Sequence, residues 1–416
     1  MTQSQEADLD FISAAITPEF RDDPYQFFRL LREHEPVHKT AFGVYLLTRH
    51  ADAAVATRDP RLSNDEQNSD LYQAFIEENG EPRGIFGDEM GQAVLLFLDP
   101  PDHSRLRGLV SKAFTPRVIE QLRARIEELV SGLLDAVEER GDGRMDVVAD
   151  LAYPLPVVII CELLGVPAAD HVTFQQWSHD LAASIDPQPL RTPEQEEQIR
   201  AAAEAFVEYL EKLIERRRRE PADDLLSALI AAEEEGDRLS EPELLATALF
   251  LLIAGHETTV NLIGNGTLAL LRHPDQLDRL RSDPSLDRNA VEELLRFDSP
   301  VMLTQRITLE NYEIGGTTIP AHQQIIPLLG AANRDPEAFP DPDRLDLGRE
   351  GAGRHLAFGG GHHFCLGAAL ARLEGQIAIG ALVRRFPHIE PAGDPVRRET
   401  FTLRGLERLP VAVDGV

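Results

Sequence analysis

The sequence predicts a mainly α protein of the α+β class, and three observations carry that prediction. Apolar residues recur at helical spacing over most of the 416 residues. Strand-like runs are confined to two places, one near the N-terminus and one after residue 304. Between them, residues 241–273 form one helical stretch that at 1.5 Å per residue would run about 50 Å. No Ser/Gly/Pro linker, repeat or low-complexity tract divides the chain, so residues 1–416 are read as a single domain.

Near the N-terminus, residues 24–33 have helical spacing, 36–38 and 44–48 read as short strands, and a second helix starts at Ala51. Long helices follow at 117–140 and 194–219. The stretch 241–273 opens on a capping box, Ser240 with Glu243, and stops before Pro274, which cannot continue a helix. After residue 304 come strand-like runs at 306–309, 312–314, 317–319 and 323–329, with a turn at Gly315-Gly316. The two strand regions are expected to pair into one small sheet. Residues 368–383 are apolar at helical spacing and predict a last long helix.

Charge excludes some partners. With 71 acidic against 41 basic residues the formal net charge is −30, which opposes nucleic acid and anionic membrane. The basic run Arg216 to Arg219 reads as a solvated helix end before Pro221. Two cysteines rule out a disulfide framework and suit a reducing cytoplasm. Residues 1–10 are polar and acidic, unlike a secretory leader. The most apolar run, 244–255, ends in His256 and Glu257, so no membrane span is expected. A cytoplasmic protein with an ample hydrophobic core follows as the expectation.

The densest chemical signal lies at Phe358-Gly359-Gly360-Gly361-His362-His363-Phe364-Cys365-Leu366-Gly367. Cys365 falls just before or within the first turn of the last helix, where backbone N–H groups favour an anionic sulfur. A thiolate is a strong ligand for iron, and Phe358 is placed to shield it. Glycines at 359, 360, 361 and 367 permit close approach to a flat cofactor and turn geometries that side chains forbid. Cys161, inside the apolar run 157–164, reads instead as a small buried hydrophobe. The long helix contains Ala254-Gly255-His256-Glu257-Thr258-Thr259. A mid-helix glycine costs about 1 kcal/mol against alanine, and charge among apolar neighbours is costly, so this turn needs a compensating role. A local opening of the helix there is expected. Phe250, Ala254 and Thr258 share one face by their spacing.

The frame around Cys365 fits the Phe-x-x-Gly-x-x-x-Cys-x-Gly signature, and the chain resembles the cytochromes P450, the haem-thiolate monooxygenases, from Asp23-Pro24 to Leu403-Arg404-Gly405-Leu406. The resemblance implies a triangular prism of a dozen or more helices with a small sheet region and the long helix over the haem. It implies haem b with Cys365 as the iron ligand, and Phe358, Gly359, Gly367, Ala254 and Gly255 against the ring. His103, Arg107, Arg306 and His363 match the family's propionate contacts. Glu257 and Thr258 match its catalytic acid–alcohol pair, which guides proton delivery to dioxygen. Glu293 and Arg296 match a buried structural pair, with Arg344 as the expected third member.

The same resemblance implies a hydrophobic small-molecule substrate, O2 as co-substrate, and NAD(P)H electrons through a separate ferredoxin and ferredoxin reductase. The chain ends soon after the last motif, without room for a fused reductase or ferredoxin domain. Substrate contacts are implied at Phe250, Ile253, Ala254, Val301, Met302, Leu303, Thr304, Phe401 and Thr402, with segments 71–94 and 177–185 nearby. Likeness to bacterial tailoring enzymes implies polyketide, macrolide, steroid or xenobiotic chemistry. The rival readings are a peroxide-driven haem enzyme, which commonly lacks the acid–alcohol pair, and a non-catalytic haem sensor. Cations at Arg105, Lys112, Arg117, Arg354 and Arg372 are expected to offer a docking patch to an acidic ferredoxin.

Overall fold

Caps set the ends of the long helices close to where the sequence places them. The computed structural model describes residues 14, 17–79, 93–182, 184, 192–234 and 239–414. Thr192 and Gln195 form a reciprocal capping box at the start of Pro193–Arg219. Ser240 and Glu243 do the same for Glu241–Leu271, with the Ser240 N–H donating to the Glu243 carboxylate at 2.7 Å. The stretch expected at 117–140 is two helices, Pro116–Gln121 and Arg123–Arg140, joined at Leu122. No breaker residue marks that joint; the Leu122 N–H donates to the Ile119 carbonyl, tightening the turn.

The chain folds into two compact units. The first comprises Met1–Glu81, Arg272–Cys365 and Arg397–Gly405. Its five-stranded sheet runs in the order Val37–Lys39, Tyr45–Leu47, Gln324–Pro327, Arg306–Thr308, Leu62–Ser63. Tyr45 pairs with Ile325 in parallel, and Arg306 pairs with Ile325 from the other side, antiparallel. The two strand regions therefore do pair across most of the chain, as expected. The added edge strand Leu62–Ser63 is too short to show any alternation. Leu47, Leu62, Tyr312, Ile319 and Ile325 form one buried cluster with this sheet. The hairpin of Tyr312–Ile314 and Thr317–Ile319 turns through Gly315 and Gly316, both at positive φ.

The same unit contains the buried pair. Arg296 donates to both Glu293 oxygens, at 2.7 and 2.8 Å, and both side chains are fully buried. The third member is Arg349 and not Arg344: Arg349 Nε lies 3.0 and 3.1 Å from the Glu293 oxygens. Arg344 is exposed and contributes only its carbonyl oxygen, which accepts from Arg349 and Arg296 at 2.8 and 3.3 Å. The loop turns the carbonyls of Pro340, Asp341 and Arg344 onto the Arg349 guanidinium, so its backbone selects residue 349.

The second unit comprises Pro82–Leu271, Leu366–Val396 and Leu406–Val416 and is organised around the long helix Glu241–Leu271. Helices Pro154–Leu164, His171–Ala182 and Ala368–Arg385 pack against it. At 31 residues it is long and apolar enough to cross a membrane, which corrects the expectation that no segment reaches that length. Yet 78% of its most apolar window is buried inside the protein, so packing accounts for the apolar sequence. A further sheet was not anticipated: Pro410–Val413 lies between Arg144–Asp146 and Ile389–Pro391, antiparallel to both. Strands of three and four residues give too few positions for a period-two signal.

Removing Arg349 would leave the buried Glu293 carboxylate with half of its cationic partners. Arg349→Ala should cost up to about 3 kcal/mol, whereas Arg344→Ala should stay within about 0.5 kcal/mol of the parent. Urea unfolding of the two variants compares them directly, and equal losses would contradict the assignment.

Candidate functional site

In the first unit a sequence of tight turns fixes Cys365. The Leu356 N–H donates to Asn333 Oδ1 at 2.7 Å, the Gly359 N–H to the Leu356 carbonyl, and the Cys365 N–H to the Phe358 carbonyl at 3.0 Å. The last bond closes the loop, so Phe358 and Cys365 are held as neighbours. Gly359 and Gly361 sit at φ +67° and +66°, where a side chain is strained. A Cβ on Gly361 would also lie 2.8 Å from the Thr57 carbonyl oxygen and 2.9 Å from Arg58 Cα. Gly361 thus serves close packing of the chain on itself rather than on a cofactor. A Cβ on Gly359 would meet nothing nearer than 4.0 Å, and one on Gly367 would meet nothing within 4 Å.

Among the described residues neither cysteine forms a disulfide, but their settings differ. Cys365 is half-buried, and the helix Ala368–Arg385 begins three residues later in the chain, with Gly367 as its N-cap. Cys161 is buried in the second unit, which pushes its thiol pKa up to about 12. Only Cys365 has the partial exposure a metal ligand needs.

Arg306 is buried on its strand, and its guanidinium donates to the Gln305 and Thr57 carbonyls at 2.6 and 3.1 Å. His363 ends the short turn Gly361–His363, beside His362. The segment 301–304 pairs with 402–403: the Met302 N–H donates to the Thr402 carbonyl, and Val301 bridges Leu403. That pairing turns Met302 into the core with Tyr25, Phe28, Leu31, Leu46 and Leu328, beside a cavity that Met302 and Phe401 also line. Thr402 is also buried, while Leu303 and Phe401 pack at the edge of the cluster and Thr304 is partly accessible.

The second unit presents the other expected residues on the long helix. The helix runs without interruption through 254–259, which corrects the expected local opening; the Thr258 hydroxyl donates to the Ala254 carbonyl at 3.0 Å along an intact helix. Phe250, Ala254, Gly255 and Thr258 stay partly accessible on a helix otherwise buried from Leu244 to Leu270, and Ile253 is buried. Gly255 has a packing reason of its own, since a Cβ there would press on Ile160 of the neighbouring helix at 3.3 Å. Glu257 is fully buried, with Oε1 3.2 Å from His256 Nε2. His256 Nδ1 lies 2.8 Å from Ser178 Oγ and 3.2 Å from the Leu252 carbonyl oxygen. His103 and Arg107 lie one turn apart on Asp102–Val110, His103 buried and Arg107 half-buried. Arg105 is bound to Glu243 and Asp102, which removes it from the expected docking patch. Of the expected substrate segments, residues 80–92, 183 and 185 lie outside the described residues.

These residues fit a haem. Within the first unit, the half-buried Cys365 thiol in a closed loop and the space beside Gly359 are what an iron ligand and a flat ring require.

Sequence reasoning missed two features of this region. Ser178 looked like one serine among many, and only its contact with His256 gives it meaning. Glu374, on Ala368–Arg385, is buried, and neither carboxylate oxygen finds a hydrogen-bond partner among the described residues. Its signal was available: a lone acid inside an apolar helical run.

Comparison with known proteins agrees with this geometry. The family model described as Cytochrome P450 matches residues 69–410. The chain is 46% identical to the vitamin D(3) 25-hydroxylase of Pseudonocardia autotrophica, over 95% of this chain and 94% of that one. It is 43% identical to the 6-deoxyerythronolide B hydroxylase of Saccharopolyspora erythraea, over 95% and 97%. Among solved structures, Mycobacterium smegmatis CYP164A2 with econazole bound superposes with a TM-score of 0.89 at 42% identity, covering 99% of this chain and all of that one.

Glu374 yields a prediction of its own. Burial raises its pKa from 4.5 to about 8, with the Thr259 side chain offsetting part of the shift. The folded state therefore holds a proton that the unfolded chain releases, and stability falls as pH rises between those two values. Glu374→Gln should be spared that loss, so its stability advantage over the parent should widen from pH 4.5 to 8 in thermal melts. A constant difference across that window would show that Glu374 is ionised in the folded protein.

Proposed function

The chain belongs to the cytochrome P450 family, and on that premise we propose that it inserts one oxygen atom from O2 into a hydrophobic small molecule, by hydroxylation or epoxidation, in the cytoplasm. Electrons come from NAD(P)H through a separate ferredoxin and its reductase, and residues 1–416 act as one haem domain. The single observation that carries the reading is Cys365, half-buried in a loop closed onto Phe358. The named relatives are hydroxylases of vitamin D(3) and of 6-deoxyerythronolide B, and the apolar stripe of this chain suits a hydrophobic substrate, in secondary metabolism or xenobiotic oxidation.

When bound, haem b supplies oxygen activation and insertion, with the thiolate ligand favouring O–O cleavage. The residues of the chain do the rest. Cys365 holds the iron, and the Cys365 N–H to Phe358 bond keeps its backbone from turning away. Arg306, His363, His103 and Arg107 would hold the propionates as cationic and hydrogen-bonding partners. Phe250 and Ala254 orient substrate and exclude water. Thr258, whose hydroxyl proton is given to the Ala254 carbonyl, offers its oxygen as an acceptor. Glu257, buried one residue away, is the acid that supplies protons.

If Cys365 is the ligand, the reduced carbon-monoxide complex shows the red-shifted Soret band of thiolate ligation, Cys365→His abolishes it and Cys161→Ala keeps it. An unchanged band in Cys365→His would refute the ligand. Thr258→Ala should still consume NAD(P)H and O2 but release mostly peroxide. Product formation at the parent's coupling would remove Thr258 from proton delivery, and strong turnover with added peroxide alone would favour the peroxide-driven reading.

A further inference from the structure

In the first unit a buried histidine braces the cysteine loop from within the protein. His355 directly follows the short turn Ala352–Arg354. Its Nε2 lies 3.0 Å from Glu292 Oε2, and its Nδ1 accepts the Ala357 N–H at 3.1 Å. Its ring also tilts against the ring of Phe358, with centroids 5.6 Å apart.

These contacts fix the state of the imidazole. A backbone N–H can only donate, so Nδ1 offers a lone pair and carries no proton. Nε2 is then the protonated nitrogen, and it donates to the Glu292 carboxylate. Glu292 stands on the helix Asp287–Phe297 next to Glu293, whose own carboxylate is clamped by Arg296 and Arg349. A helix fastened by that clamp therefore sets one tautomer of a ring in the neighbouring loop.

From His355 the effect reaches Cys365 in two short steps. Leu356 and Ala357 are buried, and a side chain holds each of their N–H groups: Asn333 Oδ1 for Leu356, at 2.7 Å, and His355 Nδ1 for Ala357. The next residue is Phe358, whose carbonyl accepts the Cys365 N–H at 3.0 Å. We propose that His355 is a positioning residue for the iron ligand: by accepting the Ala357 N–H it directs the Phe358 carbonyl, and through it the backbone of Cys365. The inference rests on Cys365 being the ligand, as proposed above. Both ring nitrogens of His355 are engaged by the protein, so it acts through residues 357 and 358 and not as a ligand itself.

Two substitutions separate the two nitrogens. In His355→Asn the side-chain carbonyl takes the place of Nδ1 and keeps an acceptor for the Ala357 N–H, while the reach to Glu292 is lost. In His355→Gln the longer amide keeps a donor for Glu292 and leaves the Ala357 N–H without its acceptor. For each holoenzyme the reduced carbon-monoxide complex is read as the ratio of the form lacking the red-shifted Soret band to the form that has it. A buried N–H left without its acceptor should raise that ratio about tenfold in His355→Gln, whereas His355→Asn should stay near the parent. Thermal melts of the same samples give the control, because His355→Asn gives up the charge-assisted bond and should melt no higher than His355→Gln. Equal ratios in the two variants, loss of the band in both, the reverse order, or a ratio that simply follows the melting temperature would each overturn the proposal. Nitrogen NMR of the histidine-labelled parent, in the diamagnetic carbon-monoxide form, should show a bare Nδ1 and a protonated Nε2 for the signals that both variants lose; a protonated Nδ1 overturns it as well. A parent without the red-shifted band refutes Cys365 as the ligand instead, which keeps the two failures apart.

Discussion

Desolvation of carboxylates is the constraint on which the working parts of this protein depend. Three glutamates are taken fully out of water, and each is compensated differently. Glu293 receives two guanidinium groups and the Asp346 N–H, so its charge is fixed in place by geometry. Glu374 receives almost nothing and holds its proton instead, its pKa raised to about 8 by burial. Glu257 is a third case, with its Oε1 3.2 Å from the Nε2 of the equally buried His256. The first arrangement suits a structural clamp and the second a neutral filler, while the third sets an acid beside an imidazole inside the long helix.

The cysteine loop answers a different demand, to hold one sulfur partly open while its backbone is closed. Backbone bonds do the closing, from Leu356 through Gly359 to Cys365. The glycines divide the labour. Gly361 is pressed onto residues 57–58 and Gly255 onto Ile160, so these two are required by the protein's own packing. Gly359 and Gly367 face no close neighbour, so packing does not account for either of them. A glycine-rich signature thus combines residues retained for unrelated physical reasons.

What the sequence made legible follows from what has a period or a fixed spacing. The long helix, its capping box, the pairing of the two strand regions and the closed loop at Cys365 were all readable, because each rests on local chemistry or on a pattern of many residues. Arg349 was not, because its role depends on which way a loop turns its carbonyls, and Arg344 occupied an equally plausible position five residues earlier. The burial of Met302 was not readable, because an apolar residue in an extended segment can face either way, and only its pairing with Thr402 turns it towards the core. Ser178 became meaningful only through a partner on another helix, which no single-chain spacing encodes.

The accessible stripe of the long helix is the remaining clue to what the protein handles. A helix at a protein surface exposes charge and buries apolar residues. Here the reverse holds: Glu257 and His256 are buried, while Phe250, Ala254 and Gly255 remain accessible. Phe250 packs in part on Ala93, Val94 and Ala246, and the area it still exposes forfeits burial that stabilises the rest of the helix. The stripe is consistent instead with a surface completed by an apolar, flat or bulky ligand, with Thr258 as the one polar atom group on it. That combination puts small and apolar side chains on the open face of the helix and the buried His256 and Glu257 behind it.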